Sequence, residues 1–465
     1  MEKLTLITDN ISNFLYTYIL IILLIAAGLY FTFRTKFVQI TLLKDGFKQL
    51  LAKKDGKEGG ISSFQSLMIS TASRVGTGNI AGVAVAITIG GPGAVFWMWL
   101  IALIGAASAF VESTLAQVYK EKDGDSFRGG PAYYIEKALK ARWLGIIFAI
   151  LLILCFAFGF NALQSFNIAD SLKPFLPTGI DSTTINFMIG ATLAVLTGLI
   201  IFGGIHRIGV ISSVVVPIMA ALYIALGLFV IVKNISMVPG VIGDIFSQAF
   251  SFQAGAGGAA GAAIMYGVKR GLFSNEAGMG SSPNAAAVAD VSHPVKQGLA
   301  QVISVFIDTL LICTATAVFI LLAKDATGEG IGRVQSAFLL EFGHVGIFFI
   351  TAAILLFAFT SIIGNYSYAE SNFKFIFENN KLGLIVFRLI CLVPLVLGAM
   401  ANLQIAWNLA DILMGLMALV NIIAIMLLGK VAFKCLEDYR KQKREGKDPV
   451  FKASEVGIKD TECWN

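Results

Sequence analysis

Residues 73–82 read SRVGTGNIAG and stand inside an otherwise apolar run, SLMISTASRVGTGNIAGVAVAITI (66–89). An arginine, an asparagine and three glycines are costly there. Glycine disfavours helix by about 1 kcal/mol relative to alanine, and lipid offers polar groups no partners. The spacing of Gly76, Gly78 and Gly82 predicts a helix that unwinds. Unwinding frees the carbonyls of about Ala72 to Val75, which can hold a hard cation such as sodium. It also opens a second half-helix at Thr77, Gly78 and Asn79, whose amides suit a carboxylate. The competing reading is a continuous helix with a glycine-lined packing face.

Composition sets the environment of that break. Of 465 residues, 57% are hydrophobic and 14% charged, with mean hydropathy +0.79. A soluble chain would carry roughly 25% charged residues. The balance indicates an all-α polytopic membrane protein. The net charge of +6 lies in blocks that alternate with apolar runs, a mark of topology rather than of nucleic-acid binding. The N-terminal MEKLTLITDNIS is mildly acidic, and the run 14–33 is long enough to span, so it reads as a retained helix and not a signal peptide. The five cysteines, Cys155, Cys313, Cys391, Cys435 and Cys463, form no CxxC and read as packing residues or free thiols.

Eleven apolar segments can be marked: 14–33, 64–90, 94–118, 144–170, 184–204, 208–232, 254–284, 296–323, 343–370, 383–400 and 404–429. The connection after the first carries seven Lys or Arg, the one after the third six, and the stretch from Lys430 onward nine. All three fall on one side if there are eleven spans and the N-terminus is outside. The positive-inside rule then makes the C-terminus cytoplasmic and the protein a multi-pass component of the cell (plasma or inner) membrane. Trp97 and Trp99 are expected at the outer interface.

A second irregular span, AAIMYGVKRGLFSNEAGMGSSPNAAA (262–287), matches the first. GTGN (76–79) and LFSN (272–275) place Asn79 and Asn275 196 residues apart, and FVEST (110–114) and FIDTL (306–310) place Glu112 and Asp308 at the same offset. A five-span unit over 64–232, with its helix broken at 72–79, would recur over 248–429 with a break at 271–280. Five is odd, so the second copy is inverted. Two interrupted helices at matching places point to a transporter site at mid-membrane. Residues 1–63 then hold an extra N-terminal helix and a basic loop, and 430–465 a basic cytoplasmic tail.

Further candidates lie on other spans. Ser274 and Asn275 are uncharged ligand candidates beside the second break, while Arg74, Lys269, Arg270 and Glu276 read equally as structural ion pairs. Asn161, Gln164 and Asn167 share one helical face, and amides can both donate to a carboxylate and accept from an amine. Thr360 and Ser361 are adjacent hydroxyls that could complete an oxygen-only cation site, or bond back to their own helix. His206, His293 and His344 have no metal-ligand spacing, and there is no GxSxG, HExxH or P-loop motif. No enzyme chemistry is legible, and without an ATP site coupling falls to an ion gradient. An amino-acid sensor signalling through its tail is the alternative, but the tail from Lys430 has only 36 residues.

Four stretches, VGTGNIAGVAVAITIGGPGAVFWMW (75–99), FRGGPAYYIEKAL (127–139), GVKRGLFSNEAGMGSSPNAAA (267–287) and WNLADILMGLMALVN (407–421), resemble the alanine or glycine:cation symporters. The resemblance runs from about residue 15 to 430. It implies the fold of the leucine and neurotransmitter sodium symporters, with about eleven helices in a five-plus-five inverted repeat after one extra helix. It also implies symport of alanine or glycine by alternating access, coupled to sodium or in some members to protons. By position it assigns sodium to Ala72, Val75, Thr360 and Ser361. The substrate carboxylate falls to Thr77, Gly78 and Asn79, with Gln164, Asn167, Ser274 and Asn275 around the rest of the molecule. Arg74 replaces a small residue beside the first sodium site of that wider group, which favours one coupling ion. No cofactor besides sodium, no nucleic acid and a monomer in the lipid bilayer are the remaining expectations.

Overall fold

A computed structural model of the chain describes residues 2–50, 61–176, 181–250, 258–378, 380–401 and 403–464. Residues 51–60 of the first basic connection and 254–257 at the start of the expected seventh span lie outside the described residues. Nine helices among the described residues are long and apolar enough to cross a membrane. Ser63–Arg74 and Thr77–Gly90 make a tenth as a pair bent by 56°. The remaining expected span is Gly258–Asn275, an 18-residue helix too rich in small and polar residues to count by hydropathy alone.

Local signals explain where elements start. Ser62 and Gln65 form a capping box ahead of Ser63–Arg74, each side chain bonding the other's amide at 3.1 Å. Proline opens Pro131–Leu139, Pro283–Val288 and Pro294–Val305, where its missing N–H costs nothing. Gly93–Val118 and Pro294–Leu322 are the most enclosed spans, at 72% and 67% buried, and form the centre. Gly204–Lys233 and Lys381–Ala399 are 33% buried and present Val232, Leu382 and Leu397 outward, as lipid-facing helices should. The Trp97 and Trp99 indoles, both partly buried, donate to the Ala249 carbonyl (3.1 Å) and the Thr314 hydroxyl (2.8 Å).

Inside the expected second break, 271–280, helix persists through Asn275, and the chain opens at Glu276 (φ 55°), Gly278 (φ 82°) and Gly280 (φ 86°). One boundary differs from expectation. The last helix, Leu403–Arg444, continues 15 residues past the expected end of its span. The chain beyond it is no free tail. It folds back so that the Phe451 amide donates to the Ser292 carbonyl (2.9 Å) and the Trp464 indole to the Gln117 carbonyl (2.7 Å). Trp464 and Phe127 sandwich the ammonium of buried Lys120, whose pKa burial lowers to about 8.

Candidate functional site

The first break forms as the glycines predict. Ser63–Arg74 ends at Val75 (φ −78°, ψ 86°), Gly76 is extended, and a single turn, Thr77–Asn79, leads into Ala81–Gly90. Helix His344–Phe377 crosses this opening. Ser361 Oγ lies 3.0 Å from the Ala72 carbonyl, 3.3 Å from that of Val75 and 2.9 Å from that of Phe357 in its own helix. One hydroxyl proton cannot serve three carbonyl oxygens, so the spot is electron-rich and fits a small hard cation. Thr360 does not join it. Its hydroxyl bonds the Leu356 and Phe357 carbonyls of its own helix, both at 3.0 Å. A β-carbon on Gly76 would stand 2.3 Å from Ser361 Oγ and 2.9 Å from Gln164 Nε2, so only glycine admits these two side chains to the break.

On the amide side the predicted residues meet. The Thr77 amide donates to Gln164 Oε1 (3.1 Å), Asn167 Nδ2 to the Thr77 hydroxyl (3.0 Å), and the Gly76 amide to Asn79 Oδ1 (3.0 Å). The Gln164 oxygen thus sits where a carboxylate would meet the half-helix N-terminus. Phe273 lies against Gly78 and forms an aromatic wall with Phe160 (4.4 Å between centroids) and Trp407 (5.2 Å). Asn79 Nδ2 donates directly to the Ser274 hydroxyl (2.9 Å), and both converge on Asp308, whose carboxylate accepts from the Ser274 hydroxyl, from Asn79 Nδ2 (2.6 Å) and from the Thr309 hydroxyl (2.8 Å). Asn275 is not brought to this group. Its Oδ1 accepts from the Ala277 amide (3.0 Å), and its Nδ2 is buried without a partner among the described residues. Asn79 and Asn275, aligned in the sequence, therefore have different bonds.

The buried charges sort into separate jobs. Arg74 donates to Gln301 Oε1 (2.9 Å) and Ser282 Oγ (2.7 Å), while Glu276 accepts from Ser73 Oγ (2.9 Å) and Ser281 Oγ (2.6 Å). Arg74 and Glu276 make no direct ion pair. Each pins the end of a break, Arg74 through an amide oxygen and a hydroxyl, Glu276 through two hydroxyls. Arg270 pairs with Asp411 and lies 4.1 Å from the centre of the Trp407 ring. In the sequence Glu112 and Asp308 stand out only as repeat markers. In the fold they are crossed braces: Glu112 accepts the Gly278 (3.2 Å) and Gly280 (3.1 Å) amides of the second break, and Asp308 holds Asn79 of the first. Their charge inside apolar runs was the available signal. Asp411, in WNLADILMG, carried the same signal.

Two clefts lie at opposite ends of the 93–118 helix. One is lined by Asp9, Thr88, Lys269, Arg270, Trp407 and Asp411. The other, much narrower, is lined by Asn284, Ser367, Glu370, Lys374, Asp123 and Arg128. In its lining Lys374 bridges Asp123 (2.8 Å) and Glu370 (3.2 Å).

Residues 1–453 match the sodium:alanine symporter family. The chain belongs to that family. Relatives agree along nearly the full length. It is 49% identical to the amino-acid carrier protein AlsT of Bacillus subtilis (97% of this chain, 96% of that protein). It is 48% identical to a probable sodium/glutamine symporter, GlnT, of the same organism (97% and 94%), and 37% identical to the sodium/alanine symporter AgcS of Methanococcus maripaludis (91% and 95%). Among solved structures, the fold is similar to that of MhsT in complex with L-phenylalanine, with a TM-score of 0.55 at 15% identity, covering 82% of this chain and 99% of that one. This member of the sodium:alanine symporter family is a multi-pass secondary active transporter and not an enzyme.

Proposed function

We propose that the protein carries a small neutral amino acid, alanine or glycine, across the cell membrane together with one sodium ion. The observation that supports this most directly is the first break, where the Ala72 and Val75 carbonyls converge on Ser361 and, one turn on, the Thr77 amide faces Gln164. In this reading sodium sits between the 63–74 half-helix and the 344–377 helix and fixes their angle. Thr360 joins only if its hydroxyl leaves its own helix. The substrate carboxylate displaces the Gln164 oxygen from Thr77, with Gly78 and Asn79 alongside. Gln164, Asn167 and Ser274 surround the amino group and side chain, and Asn275, with a free buried donor, enters if the second break shifts. The two inverted units, 64–232 and 248–429, rock about the paired breaks so that the Trp407 cleft and the Asn284 cleft open in turn. The cleft at Asp9 and Trp407 faces outside, the N-terminus is outside, the C-terminus is cytoplasmic, and the monomer suffices.

The test is uptake of radiolabelled alanine into proteoliposomes under an imposed sodium gradient. Accumulation that survives collapse of the sodium gradient but not of a proton gradient sinks sodium coupling. The relative named as a probable sodium/glutamine symporter favours a second cargo at the same site. Competition by both alanine enantiomers, glycine, serine, leucine and glutamine decides, and glutamine as the strongest competitor overturns the small-substrate reading.

A further inference from the structure

Away from the breaks, the first span, the connection after it and the last helix border an open groove. Its rim carries five cations, Arg34, Lys36, Arg440, Lys443 and Arg444, against two carboxylates, Asp45 and Glu437. Among the described residues only Lys443 of the five makes a close ion pair, with Asp45 at 3.1 Å. Arg440 instead donates to the Thr35 carbonyl (2.8 Å), and the Arg34 guanidinium lies 5.2 Å from the centre of the Phe433 ring. The groove is therefore left with a net surplus of positive charge. Leu42, Phe433 and Leu436 give it an apolar lining, and Phe433 and Leu436 are buried.

Its depth is fixed by its surroundings. Arg34 is the last residue of one span, and Arg440 to Arg444 close another. Lys36 and Phe37 turn the chain through consecutive left-handed conformations (φ 53° and 55°). The connection that follows presents Phe37, Ile40 and Phe47 outward, 42%, 62% and 49% exposed. Bare aromatic and aliphatic side chains beside a surplus of cations suit the boundary between acyl chains and headgroups.

We propose that this groove is a binding site for an anionic phospholipid, its phosphate among Arg34, Lys36 and Arg444 and the upper part of an acyl chain on Leu42, Phe433 and Leu436. Charge selects the headgroup, since each Lys or Arg near an anionic membrane surface contributes about 1 kcal/mol, and the apolar lining separates a lipid from a free anion. The site is independent of the transport reading, because none of its residues touches either break.

The experiment is native mass spectrometry of the delipidated full-length protein titrated with phosphatidylglycerol, phosphatidylcholine or inorganic phosphate. The wild type is expected to hold phosphatidylglycerol at least about tenfold more tightly than phosphatidylcholine. The double variant Lys36→Gln/Arg444→Gln is expected to lose roughly that preference, whereas Lys324→Gln/Lys381→Gln, at exposed positions elsewhere, keeps it. Equal thermal midpoints in phosphatidylcholine show that both variants are folded. Undiminished preference in the first variant, or displacement of the lipid by millimolar phosphate, overturns the proposal.

Discussion

Ser361 has one proton and three carbonyl neighbours, and Thr360, next to it, has its hydroxyl turned to its own helix. The pair therefore separates by mutation. Ser361→Ala is expected to raise the half-saturating sodium concentration about tenfold, the effect of losing one oxygen partner worth about 1–1.5 kcal/mol. Thr360→Ala should shift it less than threefold. Sodium titrations of alanine uptake read both, and a larger effect at Thr360 would move the ion site. The sequence could place two hydroxyls opposite the freed carbonyls, but not choose between them, because the choice is a rotamer set by how the 344–377 helix meets Val75. Gln164 shows the same limit. Its amide was legible as a ligand candidate, while its position on the Thr77 amide depends on a close approach that only Gly76 permits.

At the scale of elements, the two breaks were legible to different degrees. The first is written in its glycines. The second occupies only the later half of the expected 271–280, because a text alignment cannot tell a helical LFSN from an unwound GTGN. What opens the second break is left-handed backbone at Glu276, Gly278 and Gly280. Gly280→Ala should be severe: a β-carbon there is strained at φ 86° and would stand 2.7 Å from Asn421 and 2.9 Å from Phe148 and Pro131. Together these cost about 2–5 kcal/mol, expected as a clear fall in thermal midpoint in detergent. The helix start after the break offers a pH test. Burial, with Lys296 adding to it, lowers the His293 pKa from 6.5 to about 3 even though Asp438 Oδ2 is 3.2 Å away. The native state thus holds a neutral imidazole that accepts from the Val295 amide (3.1 Å). The unfolded chain binds the extra proton between those values, so this contribution is full above about pH 6.5 and is lost as pH falls toward 3. His293→Gln should flatten the stability profile between pH 7 and 5, and an unchanged slope would remove His293 as its source.

For the whole molecule, the spans were readable because lipid demands long apolar helices. The docked segment after Arg444 was not. Its composition is that of a solvated tail, and its anchors are single residues whose partners lie hundreds of positions away. Trp464→Ala should uncover Lys120, restore its pKa toward 10.5 and make the segment protease-sensitive; limited proteolysis reads this, and equal resistance would mean the indole is dispensable. The crossed braces reach furthest. Glu112 holds the break that follows Asn275, and Asp308 holds Asn79. Each of these two carboxylates braces the interrupted helix of the other half. A gene cut between the codons for Lys233 and Val238 should therefore yield two inactive fragments when each is expressed alone. Expressed together in one cell, the fragments should reassemble and regain uptake, since each supplies what the other lacks.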